Sequence, residues 1–142
     1  MSKKKLEPTP VKNVTVIVGN PIYLIPLIWI VGDYDYYRKV LSKKFGLPKE
    51  KEQKYFGGET MLISDDKTRE ACISIWIPEI SFTCANYDSV VHELSHAVWH
   101  IFSAAGVKVD GDNQEPFSYL LGYFFSETLD KFQKLYTKVN PK

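Results

Sequence analysis

The apolar positions change their spacing several times along the chain, and each change marks an element. Val14 to Val18 is a short β-branched run that reads as a strand. Gly19-Asn20-Pro21 is a turn signal, and Ile22 to Val31 reads as a second buried strand with Pro26 at an edge or bulge. Asp33 is placed to cap a helix that runs to about Phe45, where Gly46 and Pro48 end it. Tyr36, Tyr37, Val40, Leu41 and Phe45 recur there at helical spacing. Lys49 to Lys54 is a charged connector.

Thr60 to Ser64 and Ala71 to Ile77 then read as the arms of a β-hairpin around Asp65-Asp66-Lys67-Thr68. Pro78 closes the second arm and suits an edge strand. A helix is predicted from about Tyr87 to Ala105, with Asn86 or Asp88 as N-cap and Gly106 just past its end. Val107 to Gln114 is a polar loop. The last helix starts at Glu115, carries Pro116 in its first turn and runs to about Val139. The expected fold class is α+β: a small, mostly antiparallel sheet packed on the 87–105 helix, which a second long helix follows.

The chain of 142 residues fits one domain with a core large enough to need no disulfides. Residues 1–12, rich in Lys and Pro, read as a frayed tail, and 13–142 as the domain. Cys72 and Cys84 read as two reduced thiols in the packed core, which fits a cytoplasmic protein. The formal net charge of +1 gives no reason to expect a nucleic-acid partner. Asn13 to Gly32 is a stretch of 20 residues without a charged side chain, long enough to span a bilayer. The turn in its middle and Pro26 argue for two strands instead, so no membrane association is expected. Lys3 to Lys5 could serve as the basic end of a signal peptide, but Glu7, Pro8 and Pro10 follow and no small-residue cleavage site ends the apolar run, so none is expected.

The chemistry is concentrated in one short segment. His92-Glu93-Leu94-Ser95-His96 matches H-E-x-x-H. Residues four apart on a helix lie about 40° apart around its axis, so both imidazoles point the same way, one turn above the other. Two neutral imidazoles so placed can take two corners of a zinc tetrahedron, and Glu93 is within reach of a water activated by the metal. Val90, Val91, Leu94, Ala97, Val98, Ile101, Phe102 and Ala105 fall in one arc from about 140° to 280° with His92 at zero. The histidines lie outside that arc, on a separate face.

Eighteen residues separate His96 from Glu115, giving H-E-x-x-H-x18-E. Gly106 and the following loop let a second helix turn back and present a carboxylate to the same ion. A first-turn Glu also suits the helix dipole alone, so Glu115 has two readings. Tyr119, Gly122 and Ser126 share its side of the last helix, within about 40°. Gly122 either lets the two helices approach closely or is a tolerated helix glycine. His100 sits about 80° around from His92 and two turns along, too far to close on the same ion, and reads as a neighbour of the site. Trp99 and Phe102 stand where the metzincin pattern needs Gly and His. Asp110-Gly111-Asp112-Asn113 lacks the ligand ladder of a calcium loop.

Val91 to His96, Gly106 and the run Asn113 to Tyr123 resemble a minimal gluzincin-type zinc metallopeptidase of the kind found in phages and prophages. The resemblance covers about residues 87–125; upstream it extends only to a helix and a small sheet ahead of the active-site helix. It implies a zincin-like fold, Zn2+ as cofactor, His92, His96 and Glu115 as metal ligands, and Glu93 as general base in the cleavage of a peptide or protein substrate. A phage-encoded chain would work in the host cytoplasm. Tyr119, on the Glu115 face, is a candidate to steady the oxyanion or to tether the helices. Zincins pair an extended substrate with an edge strand above the active-site helix, and Ile73 to Ile77 is the candidate strand. The alternatives are a non-catalytic zinc-binding interaction domain, which His100 as fourth ligand would favour, and a metal-free module with a chance motif.

Overall fold

A computed structural model describes residues 7–48 and 57–142. Lys3 to Lys5 and the Lys49 to Lys54 connector lie outside the described residues. Seven elements follow in order: β1 (Val14–Val18), β2 (Leu27–Val31), α1 (Tyr34–Phe45), β3 (Glu59–Ser64), β4 (Ala71–Ile77), α2 (Cys84–Ala105) and α3 (Glu115–Val139). The strands form one sheet in the order β1-β2-β4-β3. β2 runs antiparallel to β1 and parallel to β4, and β4 runs antiparallel to β3. The protein is thus α+β with a small mixed sheet and three helices.

Strand alternation sorts the side chains into two cores. Leu27, Trp29 and Val31 of β2, with Ile73, Ile75 and Ile77 of β4, pack against Leu94, Val98 and Ile101 of α2 and Leu120, Phe124 and Phe132 of α3. Ile28, Ile30, Cys72 and Trp76 point the other way, onto Tyr37 and Leu41 of α1. The sheet is therefore sandwiched between α1 and the α2–α3 pair. β2 and β4 are covered on both faces, which is why their sequences run apolar without polar alternation. Trp29 Nε1 donates a 3.1 Å hydrogen bond to Thr128 Oγ1, tying the middle of α3 to the sheet through a buried polar pair.

Several ends differ from the sequence expectation, each for a local reason. The strand expected over 22–31 begins only at Leu27. Asn20 Oδ1 accepts from the amides of Ile22 and Tyr23 at 3.0 and 2.9 Å, which folds the preceding residues into a turn. Ile73 to Ile77 is not an edge strand. The crossover through α1 brings β4 beside β2, and β3 covers its other side, so the edges are β1 and β3. Pro78 lies one residue past β4, where no ladder hydrogen bond is lost.

α2 begins three residues early because Thr83, not Asn86 or Asp88, is its N-cap; the Thr83 hydroxyl accepts from Asn86 N at 3.2 Å. The Asn86 side chain instead binds backward, accepting from Ser81 N and Phe82 N and donating to Glu79 O at 2.7 Å. Cys84 is consequently an exposed first-turn residue, and only Cys72 is in the core. The other termini agree with the sequence. Asp33 caps α1 by accepting from Tyr36 N at 2.7 Å, and Gly46 and Gly106 end α1 and α2 in the left-handed conformation. Within the expected 1–12 tail, Val11 is buried and exchanges two 2.9 Å backbone hydrogen bonds with Ile80, while Thr9 bonds Asn140. Among the described residues no helix is long and apolar enough to cross a membrane.

Candidate metal centre

The site is built where α2 passes the start of the edge strand β3. The core face of α2 carries Val90, Leu94, Ala97, Val98 and Ile101, all buried. That packing turns His92 and His96 to the opposite side, where both are exposed. Their Nε2 atoms stand 3.1 Å apart, and the rings meet at 74°. The spacing four along the helix thus brings the two imidazole nitrogens to one point.

Glu93 has a different environment. It is only 5% exposed, wedged between α2 and the start of β3. Its Oε2 accepts a 2.5 Å hydrogen bond from the hydroxyl of Thr60, and its Oε1 stands 4.0 Å from His92 Nε2. Gly58 permits this approach: a methyl group there would stand 2.8 Å from Glu93 Cγ, Glu93 Oε1 and the Trp76 carbonyl. Gly57, Gly58, Asp88, Ser89, His92 and Glu93 line a cleft of about 320 Å³. Gly57 and Ser89 also border a second hollow that continues toward Pro78, Ser81 and Thr83. The two hollows together run from His92 back along the first half of α2.

The strand under this cleft is braced from both faces. Tyr37 of α1 donates a short hydrogen bond to Glu59 Oε2, one residue before Thr60. Tyr37 is fully buried and stacks on Trp76, with centroids 5.4 Å apart. Burial, and then the hydrogen bond to Glu59, hold its phenol far above the usual tyrosine range.

Glu115 opens α3, as the sequence predicts, and is exposed. It lies nine residues before Phe124, about half a turn away on the wheel, so it faces away from the buried stripe of Leu120, Phe124, Thr128 and Phe132. No hydrogen bond or ion pair joins it to the imidazoles, and among the described residues no group of three or more His, Cys, Asp or Glu side chains converges on one point. The His pair meets; the carboxylate expected to complete it stands on the outer side of its helix. Two residues on, Phe117 packs on Trp99 and Phe102 of α2, with centroids 5.3 and 6.2 Å apart. Trp99 lies about 20° from His92 on the α2 wheel, one turn past His96. The first turn of α3 is thereby seated beside the end of the imidazole face.

Tyr119 is 76% exposed on the Glu115 side of α3. Gly122 does not mediate a close helix approach, since a side chain there would meet nothing within 4 Å. It belongs to the solvent stripe of α3 rather than to the α2 contact. His100 is half-buried and among the described residues has no side-chain hydrogen bond. Thr60 and Gly58 are the site residues that sequence reasoning missed. A Thr in a strand and a Gly before it are ordinary signals, and their partner lies 33 residues beyond Thr60. No protein-family model, curated protein or solved structure matches the chain.

Proposed function

We propose that this protein is a zinc-dependent hydrolase of the zincin type, an endopeptidase that uses Glu93 as general base. The observation that carries the reading is the juxtaposition of the His92 and His96 Nε2 atoms, 3.1 Å apart, with the Glu93 carboxylate 4.0 Å from His92 Nε2, where His92 and Glu93 line one cleft. The donors suit the ion. Two imidazoles bound to tetrahedral zinc at 2.0–2.1 Å have their nitrogens about 3.4 Å apart, close to the separation already present. His92 and His96 would hold the metal; Glu115 stands on the outer side of α3, and its role as third ligand rests on the H-E-x-x-H-x18-E spacing alone. Zinc, when bound, polarises the scissile carbonyl and acidifies water.

The chain's own residues do the rest. Glu93 accepts the proton of the attacking water and returns it to the leaving amine. Tyr119, exposed on the Glu115 side of α3, is the candidate to steady the oxyanion. The substrate is an extended peptide. Among the described residues β3 has no neighbour on its outer side, and its start borders the cleft, so it replaces Ile73 to Ile77 as the strand a peptide would extend.

The test is metal analysis of untagged protein together with cleavage of a peptide library. One zinc per chain and cleavage that chelation abolishes support the reading. Glu93→Gln is expected to keep the zinc and lose on the order of 10² to 10⁴ in turnover. Zinc without cleavage of any peptide points to a non-catalytic zinc domain, and protein that takes up no zinc overturns both.

A further inference from the structure

We propose that Thr60, on the edge strand β3, is the positioning residue for Glu93, fixing Oε2 so that Oε1 is the oxygen that works in the cleft. The role deepens the reading of Glu93 as general base and rests on it.

A carboxylate taken out of water needs donors in exchange. Glu93 is buried, and among the described residues the Thr60 hydroxyl is the hydrogen-bond donor its side chain has. The 2.5 Å separation lies at the short end of the range for a hydroxyl on a charged carboxylate. Thr60 has one hydroxyl proton and two acceptors within reach, Oε2 and the main-chain oxygen of Glu93 at 3.1 Å. That carbonyl lies inside α2 and already serves the helix ladder. The carboxylate oxygen is the closer acceptor and receives the hydrogen bond.

The hydroxyl is itself held in place. Thr60 is β-branched, and its χ1 is stiff. Its strand is laddered to β4, with Thr60 opposite Ile75, and the residue before it is tied to Tyr37. Gly58 supplies the other half of the mould. A methyl group at 58 would press on Glu93 Oε1 and Cγ and also on the Trp76 carbonyl, which as backbone within β4 has no room to yield. One carboxylate oxygen is thus bonded and the other is given space, beside the cleft and 4.0 Å from His92 Nε2. Holding the base in one orientation is worth up to about 100-fold in rate, the cost of a 1 Å misplacement.

Thr60→Val keeps the shape and removes the donor, while Thr60→Ser keeps the donor. Gly58→Ala displaces the carboxylate from the other side. Crystal structures of the metal-free proteins give a readout independent of activity. Glu93 Oε2 is expected on the hydroxyl in the wild type and in Thr60→Ser, and turned away in Thr60→Val. In zinc-loaded protein, Thr60→Val is expected to lower kcat about 10- to 100-fold with KM and zinc content unchanged, and Thr60→Ser to recover most of the loss. An unmoved Glu93 in Thr60→Val, or a full kcat in that variant, overturns the role. Should the wild type cleave no peptide, the hydrolase reading fails, and the crystal structures alone decide whether Thr60 holds the carboxylate.

Discussion

The Nε2 atoms of His92 and His96 face each other across 3.1 Å. That separation lets one divalent cation accept a lone pair from each ring.

Zinc is therefore expected to stabilise the folded chain through this pair. At free zinc 100-fold above Kd the gain is about 2.7 kcal/mol, which raises the melting temperature by several degrees. His96→Ala should melt at the same temperature with and without zinc. A calorimetric scan of each protein with zinc and with chelator makes the measurement. An equal rise in the variant would place the ion elsewhere.

Glu115→Gln separates the two readings of that carboxylate. The side chain is exposed and among the described residues makes no hydrogen bond or ion pair, so the variant is expected to stay within about 0.5 kcal/mol of the wild type in metal-free unfolding. As a ligand it matters only when zinc is present, and the variant should then bind zinc at least about 10-fold more weakly. Competition titration against a chromogenic chelator reads the affinity. Unchanged zinc affinity would leave Glu115 as a residue placed for the helix dipole.

What the sequence revealed was local. Asp33, Gly46, Gly106 and Pro116 mark helix ends because capping depends on residues a few positions away. The H-E-x-x-H pair is legible for the same reason, as one helical turn sets its geometry. Thr83 was hidden behind Asn86, a residue equally suited to capping, because the Asn86 side chain binds the 79–82 loop instead. Non-local pairing was not legible. Nothing within Ile73 to Ile77 announces that β2 will lie beside it in parallel, which moves the edge to β3. The partnership of Thr60 with Glu93 depends on that same placement.

Trp29 and Thr128 offer a test of how α3 is held to the sheet. The indole N–H and the hydroxyl are both buried and joined at 3.1 Å. Thr128→Val leaves the indole donor without a partner, and the expected cost is about 1–3 kcal/mol. Trp29→Phe removes the donor but also opens space in the core, so it should cost at least as much. The double variant is expected to lose less than the two single losses combined, because it strands no donor. Urea unfolding of the four proteins gives the coupling. Strict additivity would show that the pair makes no net contribution.

Tyr37 makes stability depend on pH at the alkaline end. Its phenol is held well above the usual range by burial first, and then by the hydrogen bond to Glu59. The unfolded chain ionises Tyr37 near pH 10. Above that point the unfolded state has given up a proton that the folded state keeps, so each further pH unit favours unfolding. The contribution of neutral Tyr37 is whole below about pH 10 and is lost as pH climbs toward the folded-state value, by at most about 1.4 kcal/mol per unit. Tyr37→Phe has no proton to lose there. It should be less stable at neutral pH by about 1–2 kcal/mol, from the lost hydrogen bond, and should decline less steeply in base. Urea midpoints for both proteins between about pH 8 and pH 11 compare the slopes. Parallel curves would mean that the phenol ionises in the folded protein as readily as in the unfolded chain, and that the bond to Glu59 does not brace the strand carrying Thr60.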